Sequence, residues 1–447
     1  MKCLLTLIFL SLLRPPLQAQ SWTMQNVGFQ KIGADPFKVS IVDANVAWTI
    51  GDYHLGEQVD REFSKTIDGG ISWQAGTLPV PANYSCVSVC AIDENIAYID
   101  CYQATAPFGG HVYRTLDGGT TWNETGANVI FTDPASVCDG IYFWNAAEGF
   151  AFGDPVNGEW EMYTTADSGN TWTAVPAENI PDAAANDWAY PKSYTVIDSC
   201  IWIGSHQGYI YKSMDRGMHW TSVQLTDAGF VQPVFFSDKK TGIAIGYSWS
   251  TGALNYFRTS DGGDTWTAFV AGGRPYFFFT AIPGTNYLVS CEDNVIDQEG
   301  GSSYSADTGK TWIPIDTIGD GCDYGYFWVT FHDINTGYAT GFVNADHTGG
   351  IFKWNPGNLG IHEIKTAGEL KVYPNPSSDV VEVSGDFSFS SQNLLRVFDM
   401  NGKLHKEIQL DGEKEFTLNV SDLQPGIYSI SVIASNEVSQ SKFIISR

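Results

Sequence analysis

Short runs of alternating apolar and polar residues recur along most of the chain, each closed by a turn signal. Asn45 to Asp52 (NVAWTIGD), Gly149 to Pro155 (GFAFGDP), Thr241 to Tyr247 (TGIAIGY) and Thr336 to Phe342 (TGYATGF) are such runs, and Gly110 to Thr115 (GHVYRT) is another. Period-two patterning of this length predicts β-strands, and the spacing of a long helix is hard to find anywhere. An all-β chain is the expectation.

The strands repeat as a set. Six segments share the pattern Ser/Thr-x-Asp-x-Gly-x-x-Trp: Thr66 to Trp73, Thr115 to Trp122, Thr165 to Trp172, Ser213 to Trp220, Thr259 to Trp266 and Ser305 to Trp312. Their tryptophans follow one another at intervals of 46 to 50 residues, the signature of a repeat architecture. Each segment reads as a β-turn. The Asp accepts from nearby backbone N–H groups, the Gly takes a positive φ, and the Trp opens the next strand with a large apolar surface. Before each turn come three strands, the second ending in a small residue: Gly51, Cys101, Gly153, Gly204, Gly246, Cys291 and Gly341. Four antiparallel strands per repeat define a propeller blade. The seventh repeat, Phe327 to Trp354, has three strands and no turn segment. Ser21-Trp22-Thr23 resembles the opening of a fourth strand, and Trp22 lies 51 residues before Trp73. Residues 21–27 are therefore expected to complete the seventh repeat and close the ring. The fold class predicted is all-β, a seven-bladed β-propeller over residues 20–354 with a C-terminal Ig-like β-sandwich.

The turn segment resembles the Asp-box (BNR) motif of sialidase-like propellers. The propeller resembles the group holding sialidases, xyloglucan hydrolases, sortilin-type ectodomains and photosystem II assembly factors, and the stretch Gly149 to Trp172 is similar to single-propeller bacterial proteins of mostly undefined activity. That resemblance implies the fold and leaves function open. A motif present in every repeat is scaffold, because catalysis needs a unique convergent site. Asp68, Asp117, Asp167, Asp215, Asp261 and Asp307 are accordingly assigned to structure.

From Asn355 to Glu369 the chain reads as a linker. Residues 370–447 return to alternating strands, with turns at Asn401-Gly402 and Pro425-Gly426. Tyr373-Pro374-Asn375-Pro376, the Asp399–Gly402 turn, Leu423 to Tyr428 and the terminal Lys442 to Arg447 resemble the C-terminal sorting domain of the type IX secretion system of Bacteroidetes. The resemblance implies export across the outer membrane, a partnership with that secretion machinery, and release or attachment at the cell surface. At the other end, Lys2, the apolar stretch Leu4 to Leu13 and Ala19 read as a signal peptide over residues 1–19. The apolar stretch is too short to span a bilayer, and no transmembrane segment is expected elsewhere.

A formal net charge of −26 argues against nucleic-acid binding, which needs basic stripes. The cysteines have no metal-ligand spacing, and Cys101 and Cys291, at small positions, are expected to be buried free thiols. No cofactor and no metal are expected. A sialidase needs three arginines converging on a carboxylate. Arg114, Arg216 and Arg258 fall in or beside turn segments, leaving only Arg61 and Arg274, so that activity is a poor fit. The loops after the second strands lie on the face opposite the turns. There Asp52, Asp154 and Glu292 are candidates to line a shared funnel, and Tyr53, Tyr102 and Trp249 to stack on a ligand. His54, His206 and His347 fall in the same loops. The reading is a glycan- or protein-binding module, with a glycoside hydrolase using a carboxylate pair as the alternative.

Overall fold

A computed structural model describes residues 21–31, 33–53, 61–105, 109–248, 251, 253–292, 300–318, 324–342, 350–355, 370–384, 393–399, 404–410, 415–434 and 437–446. The chain divides into two compact units, one ending at Pro356 and one beginning at Gly357.

The described part of the first unit holds seven four-stranded antiparallel sheets. Six are built from consecutive strands within residues 34–77, 84–125, 138–174, 189–224, 230–269 and 278–318. The seventh takes Gly325–Asp333, Thr336–Phe342 and Gly350–Trp354, and then Trp22–Asn26 from the start of the described chain as its outer strand. The first strands of successive sheets pack beside one another, and the first strand of the seventh packs against that of the first. The sheets therefore form a closed ring.

Four of the sheets are held to the next by an aromatic residue of the second strand, Trp48, Tyr98, Trp202 or Tyr338. Trp48 stacks on Phe63, meets Trp122 of the second sheet edge-on at 6.2 Å, and donates its indole N–H to Asp93 O at 3.1 Å. Tyr98 donates to Ala146 O and Ser168 O of the third sheet, and Trp202 to Gly262 O of the fifth. Between the seventh and first sheets Tyr338 meets Trp73 edge-on at 5.8 Å, while the Trp73 indole donates to Gln25 Oε1 at 3.1 Å.

The small residue ending the second strand has a geometric cause. The first strand carries a β-bulge opposite it in six of the seven sheets, as at Cys138/Gly140, Val231/Val234 and Tyr326/Trp328. The bulge bends the strand and turns a carbonyl inward. A Cβ placed on Gly153 would lie 1.9 Å from Val137 O, and one on Gly341 1.9 Å from Gly325 O.

The turn segments are closed circuits of hydrogen bonds. In the first, Thr66 Oγ1 donates to Asp68 Oδ1 at 2.8 Å and accepts from Gly70 N at 2.7 Å. Asp68 also accepts from Ser72 N at 2.9 Å and Ser72 Oγ at 2.6 Å. The same atoms pair in the segments of Asp117, Asp167, Asp261 and Asp307, and His219 replaces the hydroxyl partner at Asp215. These carboxylates are occupied within their own turns. The bonds from Ser72 hold the Asp68 carboxyl down to about 2.

The second unit contains a three-stranded sheet in the order Lys371–Tyr373, Val380–Ser384, Glu415–Asn419. A four-stranded sheet runs Leu404–Leu410, Asn393–Asp399, Gly426–Ala434, Glu437–Ile445. Val381, Val383 and Leu418 from one and Leu395, Val397, Ile430, Val432 and Phe443 from the other bury a common core. Asn375 pins the last strand, donating to Lys442 O at 3.0 Å and accepting from Ile444 N at 2.8 Å.

Ring closure is carried by the pairing of Trp22–Asn26 with Gly350–Trp354, in which Trp22 faces Trp354. Trp22 is 1% exposed and its indole N–H donates to Ser302 Oγ at 3.0 Å. Trp22→Ala is expected to cost about 3–5 kcal/mol, read as a lower denaturant midpoint. The Asp68 carboxyl, lowered on folding, adds stability that is present above its unfolded value near 4 and is lost as pH falls toward about 2. Asp68→Asn should therefore weaken the protein at neutral pH and flatten the acid limb of a urea-midpoint-against-pH curve.

Candidate functional site

Side chains of the first strands reach across the inside of the ring. Lys38 Nζ, on Ala34–Ile41, reaches across to Ser88 Oγ at 3.1 Å and to Pro191 O and Tyr194 OH of the fourth sheet at 3.3 and 2.8 Å. Its ammonium lies 4.0 Å from the Tyr194 ring centre, and Tyr194 OH donates to Ile141 O of the third sheet. On the other side Trp328 packs against Phe235 and Phe278 from the fifth and sixth sheets. Burial lowers the Lys38 ammonium and raises the Asp100 carboxyl beneath it, while each offsets part of the shift of the other.

Of the three candidate carboxylates, Asp154 lies near the end of the second strand of the third sheet and Glu292 ends that of the sixth, three sheets apart around the ring. The structure does not bring them together. Asp154 instead faces Asp139 of its own sheet and accepts from Ala189 N at 2.9 Å. Asp139 is sealed from water, and burial with the neighbouring Asp154 pushes its carboxyl well above the usual range. That shift favours the protonated form of Asp139 beside Asp154. Tyr102 is half-buried on the second sheet. The side chains of Asp52 and Tyr53, and all of His54, Trp249 and His347, lie outside the described residues.

What the fold does assemble is a row of rings on the same face. Trp188 stacks on His206 with centroids 3.3 Å apart and planes 16° apart. His206 lies parallel to Phe230 at 6.5 Å, and Phe230 stacks on Tyr247 at 5.2 Å. Tyr190 flanks the row, bonding His206 Nδ1 through its hydroxyl at 2.8 Å and meeting Phe230 at 5.5 Å. Trp188 remains 37% exposed, and His206 covers one of its faces.

The row is held from beneath. Asp187, buried, accepts from Trp188 N at 3.1 Å, Gln207 N at 2.8 Å, Ser205 Oγ at 2.9 Å and Tyr211 OH at 3.4 Å. His206 N donates to Trp188 O at 2.9 Å, and Asp154 fixes Ala189. The loop carrying Trp188 and the hairpin carrying His206 are thereby one rigid piece. Burial lowers the His206 imidazole, which favours the neutral ring that stacks. The sequence placed His206 on this face, whereas Asp187, Trp188, Tyr190, Phe230 and Tyr247 were not singled out. The first four lie at connections between sheets, which share this face with the loops after second strands. The signal available was the length of the connection after Ala174 and its ending in Asp-Trp-Ala-Tyr.

The grooves of the opposite face follow the repeat. One of about 650 Å3 lies between the fourth and fifth turn segments, lined by Lys212, Met214, His219, Lys239, Lys240 and Asp264. Others of about 380 and 360 Å3 lie beside the segments of the third and fifth sheets. Recurrence at successive junctions marks packing geometry. Among the described residues no group of three or more His, Cys, Asp or Glu is placed to hold a metal ion, and no helix is long and apolar enough to cross a membrane.

The Asp139–Asp154 pair has a measurable consequence. A carboxyl raised on folding adds stability that is full below its unfolded value near 4 and is lost as pH rises toward the folded value. Asp139→Asn can still donate to Asp154 and needs no proton. It is expected to match or exceed the parent's stability at pH 7–8 and to reduce the decline in urea midpoint above pH 4.

Residues 371–446 match the family described as Secretion system C-terminal sorting domain. No curated protein matches the sequence. Among solved structures the chain is similar to YCF48 bound to D1 peptide, at 18% identity and a TM-score of 0.53, over 76% of this chain and 98% of that one. It is similar to YCF48 from Cyanidioschyzon merolae at 14% identity and a TM-score of 0.51, over 75% and 99%. An ancestral GH74 enzyme aligns at 14% identity and a TM-score of 0.49, over 95% and 63%. Likeness at such identity speaks for the fold alone. The chain thus resembles the Asp-box propellers over its first unit and carries at its C-terminus a type IX sorting domain, which indicates export to the cell surface or the extracellular space.

Proposed function

We propose that this protein is an exported ligand-binding propeller whose recognition surface is the aromatic row Trp188–His206–Phe230–Tyr247. In this reading residues 1–19 are the signal peptide, 20–354 a seven-bladed propeller, 355–369 a linker and 370–447 an Ig-like sandwich that addresses the chain to the type IX machinery. The observation carrying the binding role is the partly exposed Trp188 at the end of a stacked row locked from below by Asp187. A pyranose ring or a partner's aromatic side chain would extend the stack by one plane, gaining apolar contact without ordering a loop. Of these a glycan is preferred, since a pyranose presents an apolar face that stacks on an indole.

The fold likeness to YCF48, described as bound to a peptide, supports propellers of this shape as binding scaffolds and keeps a protein segment as the second reading. A glycoside hydrolase draws less support. Its carboxylates would have to flank a bond about 5–10 Å apart, whereas Asp154 is engaged with Asp139 and Ala189 N, and Glu292 stands three sheets away around the ring.

Glycan-array binding of the full chain, followed by titration of the best hit, tests this. Trp188→Ala should weaken the hit at least about tenfold, the loss of one stacking contact, with the melting curve little changed because Trp188 is partly exposed. Undiminished binding, or turnover of any arrayed glycan, would overturn the reading.

A further inference from the structure

The second sheet holds a cysteine pair that the binding reading does not use. Cys86 on Tyr84–Ala91 and Cys101 on Ala97–Gln103 are opposed partners in the antiparallel register. Their sulfurs are 2.9 Å apart and both residues are buried. Opposed residues of antiparallel strands have Cα atoms roughly 4.5–5.5 Å apart, inside the roughly 4.4–6.8 Å that a disulfide spans.

The placement is particular to this sheet. Cys101 occupies the position where most sheets need glycine, opposite the bulge of the first strand. In the sixth sheet the equivalent Cys291 faces Phe278, so no second thiol is presented across the strands. Cys90 accepts from Phe143 N at 3.2 Å, and Cys138 donates to Asp100 Oδ2 at 3.3 Å. Only at Cys86 and Cys101 do two described sulfurs meet.

The sorting domain sends this chain out of the reducing cytoplasm, and disulfides persist in exported proteins. We propose that Cys86 and Cys101 are joined by a disulfide in the exported protein. One S–S bond forms as two S–H bonds are lost. The two protons and the two electrons pass to the disulfide of a cell-envelope thiol oxidase, which is reduced to two thiols by way of a mixed disulfide. Both sulfurs are sealed once the sheet is packed, so exchange takes place on the chain before the second sheet closes. The bond ties together the loop-facing ends of two strands, beneath Tyr84, whose hydroxyl bonds His111 Nε2 at 2.9 Å. The proposal rests on export and is independent of the ligand.

The test uses protein recovered from the exporting cells' surface or medium, unfolded and alkylated with and without reductant. Cleavage at Lys65, Glu94 and Arg114 separates the two cysteines onto fragments 66–94 and 95–114. Without reductant these fragments are expected as one linked species that survives Cys90→Ser, and reduction should release two further alkylation sites. The Cys86→Ser/Cys101→Ser double variant should melt below the parent and lose the parent's response to reductant. Full alkylation of Cys86 and Cys101 without reductant would overturn the proposal, as would a link from Cys101 to Cys90 or Cys138.

Discussion

Antiparallel pairing of the first described strand with the last strand of the ring is the constraint on which the first unit depends. A four-stranded sheet alone leaves two edges of unpaired N–H and C=O groups and one apolar face on each side. Packing sheets side by side covers the faces, and the series ends only when the seventh meets the first. Trp22–Asn26 supplies the strand that the seventh sheet lacks, and Trp22 seats its ring among Tyr326, Phe331 and Trp354. The two ends of a chain segment more than three hundred residues long are thus one element.

Within that frame two kinds of polar chemistry are segregated. Box carboxylates sit at the surface and are held ionised by hydroxyl and amide donors of their own turns. The acids near the axis and beneath the loop face are buried, and their carboxyls are raised. The first set favours the fold as pH rises above 4, and the second set opposes it. The same residue type therefore enters stability with opposite signs, decided by whether donors or apolar walls surround it.

Rigidity of the loop face follows from the same economy. Asp187 spends its two oxygens on a loop and a hairpin that belong to different parts of the fourth repeat, and Asp154 reaches in from the third sheet to hold Ala189. The aromatic rings above are thereby held in their stack. Closer to the axis, Lys38 and Tyr194 join the first and fourth sheets and Trp328 joins the seventh to the sixth.

The periodic features of this protein were legible in the sequence because each depends on neighbours a few residues away. The box turn, the small residue opposite a bulge and the alternation of each strand are local geometries. Even closure was readable, since Trp22 continues the spacing of the other tryptophans. In the second unit, alternation and turn residues marked the sorting strands in the same way. What only the tertiary structure decided was which non-repeating side chains meet: Trp188 with His206 and then Phe230, Asp139 with Asp154, Lys38 with Tyr194. These partners come from different strands or different sheets, and their meeting depends on how the sheets stack and where the bulges turn the first strands. No pattern along the chain encodes such a contact, because its distance in space is set by the ring and not by the spacing of the residues.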